Sequence, residues 1–172
     1  MIFKRSLLPN ANEQIAMQNK PTQANAVPMP EQRTVYPPPF AALVKERSKR
    51  KLGDYFGLTN FGVNLTELAP GAISALLHCH AKQDEFIYIL EGRPTLVLGE
   101  QEYVLEPGDC MGLKAGAGIA HQLVNASSEK VVYIEIGDRT IGDEVEYPKD
   151  DLRAVQLPNG QWQMTHKNGE PY

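Results

Sequence analysis

Short apolar runs with two-residue alternation, each closed by a glycine or proline turn, are the feature that most restricts what this chain can fold into. Phe61, Val63 and Leu65 alternate with polar or small residues, Ile87 and Ile89 continue the face of Glu85, and Val132, Ile134 and Ile136 form a further set. Alternation of this kind is the period of a β-strand with two unlike faces. The turns fall at Ala69-Pro70-Gly71, Glu91 to Pro94, Gly99 to Gln101 and Glu106 to Asp109. Many short strands with regular punctuation predict an all-β antiparallel sandwich or barrel. Helical periodicity is confined to a single turn near Pro39 to Lys45. At 172 residues and 42% apolar content the chain suits one domain with a real core.

Histidine is scarce, with four in the chain, and its spacing is far from random. His78 and His80 stand two apart, Glu85 follows, and His121 lies downstream. On a strand, residues i and i+2 leave the same face with Cα atoms about 7 Å apart, so both imidazoles point one way and Cys79 the other. Three imidazole nitrogens and one carboxylate suit a divalent transition metal: Fe, Mn, Zn, Ni, Co or Cu. An isolated pair of histidines is more often a core or surface feature than a ligand set, so the surroundings decide.

Those surroundings resemble the cupin superfamily. Gly71, His78-Cys79-His80, Glu85 and Gly92 follow its first motif, with Gly71 one residue further out than the usual pattern places it. Gly108, Gly116, His121 and Asn125 follow its second motif, with Lys114 where proline usually stands and a longer loop before His121. The resemblance covers roughly residues 60 to 137. It implies a double-stranded β-helix (jelly-roll) barrel with extended N- and C-terminal segments, and a metal held by His78, His80, Glu85 and His121. Small single-domain cupins of this kind resemble mannose-6-phosphate isomerase, and others are dioxygenases. The resemblance therefore implies a metal-dependent isomerase on a sugar or sugar phosphate, an iron-dependent dioxygenase, or a non-catalytic module that binds or senses a small molecule.

Strand phase adds an expectation about the site. With the four ligands facing inward, Leu76, Ile87, Ile89 and Leu123 face inward too, which predicts a largely apolar cavity with a small shaped pocket at its mouth. Lys82, Gln83 and Lys114 fall in connecting loops, where they could hold an anionic or hydroxylated substrate.

The remainder sets limits. A net charge of −4 argues against general nucleic-acid binding, and no run approaches the roughly 18 apolar residues of a membrane helix. The one basic cluster, Lys45 to Lys51, reads as a solvated strand or turn face. Cys79 and Cys110 do not make a disulfide framework and read as small buried thiols, with a cytoplasmic location as the default.

Residues 1–32 are expected to form a flexible tail rich in Asn, Gln, Pro and Ala, opening on a stretch, Met1 to Leu8, that reads as a docking strand or a remnant of upstream sequence. Residues 33–59 form an extension packed on the barrel, with Tyr36 to Phe40 running along an edge. Residues 60–137 form the barrel and 138–172 a C-terminal extension. There, Asp143 to Glu146 reads as acidic surface loop, and Asn159-Gly160 marks a tight hairpin that covers a sheet edge or crosses to a second subunit. Trp162 is expected to be a packing anchor and His166 to be exposed. A small-molecule ligand and a homodimer complete the expectations.

Overall fold

Two antiparallel sheets face one another, and the register of the first one decides which side chains meet the space between them. The computed structural model describes residues 20–172; the Met1 to Leu8 stretch lies outside the described residues. The first sheet has five strands in the order β1 (Arg47–Lys51), β2 (Phe61–Leu68), β9 (Val131–Asp138), β4 (Glu85–Glu91) and β7 (Cys110–Leu113). The second face is built from β12 (Trp162–Thr165), β11 (Arg153–Gln156), β10 (Glu144–Glu146) and β3 (Cys79–His80). It continues into β8 (His121–Val124), β5 (Thr95–Leu98) and β6 (Gln101–Val104). A bridge between His78 and His121 joins its two halves. This is the all-β jelly roll that the resemblance implies, and the short turn near Pro39 to Lys45 is a 3-10 helix over Phe40–Val44, joined by a second helical turn at Leu52–Tyr55 that the periodicity does not show.

Paired residues on neighbouring antiparallel strands share a face. Across the first sheet, Lys51, Asn64, Glu135 and Ile87 form one inward row, and Lys49, Thr66, Tyr133 and Ile89 the next. Val63, Ile136 and Phe86 form an outward row. The apolar alternation of Phe61, Val63 and Leu65 and of Ile134 and Ile136 therefore marks the outer face, and the residues between them look inward. Ile87, Ile89 and Leu123 are buried in one core cluster with Leu68, Val131 and Tyr133, as the phase of Glu85 predicts. Leu76 is also buried but joins a second cluster with Phe40, Val145, Tyr147, Leu152 and Ala154.

Two motif residues have structural duties. Asn125 is fully buried and its amide donates to the carbonyls of Leu68, Ala69 and Glu129, tying the end of β8 to the first sheet. Gly92 has φ +77° and an added Cβ would lie 2.5 Å from the Lys130 carbonyl oxygen, so only glycine fits that turn.

The flanking segments are woven into both sheets. Residues 33–59 supply β1 and a short helix α1 (Leu52–Tyr55), while 138–172 supplies β10 to β12. The Asn159-Gly160 turn closes the β11–β12 hairpin, with Gly160 at φ +81°. In the tail, Val27 is buried and its carbonyl accepts from Arg50, so the chain is anchored there ahead of residue 32.

Four expectations need correction. Lys45 to Lys51 is not a solvated face: Arg47, Lys49 and Lys51 alternate inward on β1, and Arg47 is buried. Asp143 to Glu146 is not surface loop: Asp143 is fully buried and β10 pairs with β3. Neither thiol is buried, since Cys110 is exposed and Cys79 half-buried, and both are free. His166 is not simply exposed: its Nδ1 lies 2.8 Å from Asp151 and its ring stacks on Tyr172.

Candidate metal centre

The backbone itself brings two histidines together. His78 and His121 exchange both main-chain hydrogen bonds, at 3.2 and 2.8 Å, so their side chains leave the same face of the second sheet. Their ring centroids are 4.5 Å apart. His80 follows two residues along on the same side, its ring 5.2 Å from that of His78. Glu85, first residue of β4, reaches across from the facing sheet.

All three imidazoles converge on one oxygen. Glu85 Oε2 lies 2.8 Å from His121 Nε2, 3.6 Å from His80 Nε2 and 3.7 Å from His78 Nε2. Ligand atoms of His78, His80 and Glu85 all fall within 4.8 Å of one another, and His121 joins them through the Glu85 carboxylate. Two of the three opposite ring nitrogens are already engaged. His78 Nδ1 donates to the Leu76 carbonyl at 2.8 Å, and His80 Nδ1 donates to Asp143 Oδ2 at 2.6 Å. A ring whose Nδ1 carries the proton keeps the Nε2 lone pair free, so both rings are held in the form that can bind a metal. The donor set thus fits a divalent transition metal.

Asp143 was not visible as a site residue in the sequence. It precedes β10, and besides holding His80 it accepts from the Lys82 main-chain N–H at 2.7 Å.

Electrostatics follow from burial. Desolvation holds the His78 imidazole down at about 4, against the opposing pull of Glu85. Burial alone would raise Glu85, but the hydrogen bond from His121 and the charges of the three histidines outweigh it and bring the carboxyl down to about 2. Desolvation also raises Tyr133 and Tyr147, so both phenols stay protonated donors.

The cluster sits at the wall of a cavity of about 700 Å³. Its lining is mixed rather than largely apolar, because the inward rows of β1, β2 and β9 bring Arg47, Lys49, Asn64 and Glu135 to it. Gln83 lines this cavity and is buried, its amide donating to the Thr140 carbonyl and the Gln156 side chain. Lys82 and Lys114 are exposed and stand outside the lining. Trp162 is half-buried against the second core cluster, as a packing anchor would be, but it also lines the cavity with its ring 6.5 Å from His80.

Among the described residues no helix is long and apolar enough to cross a membrane. No curated protein matches the chain. Residues 64–137 match the cupin domain family. A crystal structure from Silicibacter pomeroyi, of a sugar phosphate isomerase from the cupin superfamily, is 39% identical, covering 81% of this chain and 88% of that one with TM-score 0.76. A second, from Acidithiobacillus ferrooxidans and provisionally named a sugar phosphate isomerase, is 32% identical, covering 73% and 80% with TM-score 0.65. The polyketide cyclase RemF from Streptomyces resistomycificus shares the fold at 22% identity, covering 69% and 78% with TM-score 0.57. With motif glycines, histidines, jelly roll and these likenesses together, the chain belongs to the cupin superfamily.

Proposed function

We propose that the protein is a metal-dependent enzyme of the sugar or sugar-phosphate isomerase type, acting on a small polar metabolite with His78, His80, Glu85 and His121 as the metal ligands. The observation that carries this reading is the convergence of three Nε2 atoms on Glu85 Oε2 at the wall of a cavity, with two of the opposite ring nitrogens already tied down. The two relatives named as sugar phosphate isomerases support the choice of reaction. A divalent transition metal bound there supplies Lewis-acid polarisation of a carbonyl or hydroxyl oxygen. The chain's own part is to hold and enclose the substrate: Tyr36, Gln83 and Trp162 flank the cluster within the cavity. Of Lys82, Gln83 and Lys114, Gln83 alone lines the cavity, which supports a substrate contact there and not at the two lysines.

Protein purified without chelators is expected to carry about one transition metal per chain, with His80→Ala and His121→Ala each well below wild type by elemental analysis. The metal-loaded protein is then expected to interconvert an aldose phosphate and its ketose isomer. Oxygen consumption without isomer formation moves the reading to dioxygenase chemistry, and binding without turnover to a sensing module.

A homodimer belongs to the same proposal. Phe86, Tyr88 and Leu90 alternate on the outer face of β4 and are each about two-fifths exposed, at 38%, 41% and 42%, a row that a second copy would cover. The two free thiols support a reducing, cytoplasmic setting.

A further inference from the structure

The wall beside Glu85 carries a second polar group that the metal centre does not use. Glu135 stands opposite Ile87, two residues along β4 from Glu85, so the two carboxylates are diagonal neighbours on one face with Cα atoms about 7–8 Å apart. Glu135 Oε1 accepts from Lys49 Nζ at 2.6 Å and from Asn64 Nδ2 at 3.0 Å, which fills that oxygen. Among the described residues its Oε2 has only the Tyr133 hydroxyl at 3.5 Å, too long for a strong hydrogen bond. Lys49 brings three donors and spends one. All four residues line the cavity.

Charge decides what such a group binds. Lys49 and Glu135 neutralise each other, at side-chain exposures of 23% and 16%. Of the other cations of the first-sheet wall, Arg47 donates to the Ser74 carbonyl, Arg139 to Asp54 and the Leu58 carbonyl, and the half-exposed Lys51 lies 3.9 Å from Asp54. A neutral Lys49–Glu135 pair that keeps a carboxylate oxygen and ammonium protons for a ligand suits uncharged hydroxyls, which donate and accept at once. A phosphate would meet the Glu135 carboxylate.

We propose that Lys49, Asn64 and Glu135 form a hydroxyl-binding subsite that holds the carbon chain of a polyhydroxylated substrate next to the metal centre. This rests on the reading of the cavity as that of a sugar-converting enzyme, and it names the part of the substrate that the sheet wall reads. Glu135 and Lys49 are positioning groups, since they grip hydroxyls remote from the metal.

The test uses the metal-loaded protein and calorimetric titration with D-sorbitol, with 1,6-hexanediol, which has the same chain length without inner hydroxyls, and with inorganic phosphate. D-Sorbitol is expected to bind, and 1,6-hexanediol to bind at least about tenfold more weakly. Glu135→Gln and the double variant Lys49→Met/Glu135→Leu are each expected to lose about tenfold or more in D-sorbitol affinity while metal content and phosphate binding stay at the wild-type level. Replacing both partners with apolar residues leaves no buried charge unpaired, so the double variant is expected to fold. Unchanged D-sorbitol affinity in both variants overturns the proposal, as does loss of phosphate binding with D-sorbitol binding intact. Because binding is read without turnover, absence of isomerisation with the hexitol still bound through Glu135 would defeat the enzyme reading alone.

Discussion

Removing Asp143 tests the metal centre from outside the ligand set. Its two carboxylate oxygens accept from two different donors, His80 Nδ1 at 2.6 Å and the Lys82 N–H at 2.7 Å, and the side chain has no exposure to water. In Asp143→Ala both donors lose their acceptor, at a cost of about 1 to 3 kcal/mol for each. The His80 ring loses the contact that fixes its tautomer, and metal affinity is expected to fall about 10- to 100-fold, or about 1.4 to 2.8 kcal/mol. Asp143→Asn separates the two effects. An amide keeps one acceptor and the volume, so it restores part of the folding stability. Its NH2 group, however, is a donor, and where it faces His80 it favours the tautomer with the proton on Nε2, which cannot bind a metal. Asn is therefore expected to melt closer to wild type than Ala while binding metal no better. Competition against a chromogenic chelator gives the affinity and thermal unfolding of the apo form gives the stability. Wild-type metal affinity in both variants would refute the reasoning.

Further outcomes follow from the same geometry. His78 is held neutral in the fold down to about 4, below the 6.5 of an unfolded histidine. Its contribution to apo stability is thus full above pH 6.5 and is lost as pH falls towards 4, by up to about 3 kcal/mol; urea titrations across that window should show the loss, and His78→Gln should flatten it. Gly137 pairs with Glu85 in the cavity row, and a Cβ there would meet no atom within 4 Å. Gly137→Val is therefore expected to change stability by less than about 1 kcal/mol while cutting D-sorbitol affinity, and a variant that binds normally would contradict the assignment of this wall. Phe86→Glu with Tyr88→Glu is expected to give a monomer by sedimentation if the outer face of β4 is the dimer surface, and a dimer surviving both changes would exclude that face.

The sequence disclosed the strands and the clustering of four side chains better than it disclosed the cavity. His78, His80, Glu85 and His121 could be picked out because metal chemistry needs scarce residue types at strand spacing, and Glu85 carried Ile87 and Ile89 with it into the core. The wall was missed because periodicity says that two faces differ, not which one is inside. On β2 and β9 the outer face is the apolar one, with Val63, Leu65, Ile134 and Ile136, while Asn64, Thr66, Tyr133 and Glu135 turn inward. A wet cavity between the sheets reverses the usual rule that polar residues face out. Lys49 was hidden in a charged run for the same reason, and Asp143 in a stretch whose acidity suggested solvent. Both are held inward by partners far away in sequence, Glu135 and His80, and a linear reading has no access to those pairings.

The position of Asp143 just ahead of β10 has a consequence for biosynthesis. A ribosome delivers both histidine-bearing strands, and the glutamate between them, before the residue that orients one of those imidazoles emerges. Chains still being made, or cut short near the close of the family-matched region, would carry all four side chains of the cluster yet lack that brace, so on the proposed reading tight metal capture waits until β10 has docked on β3.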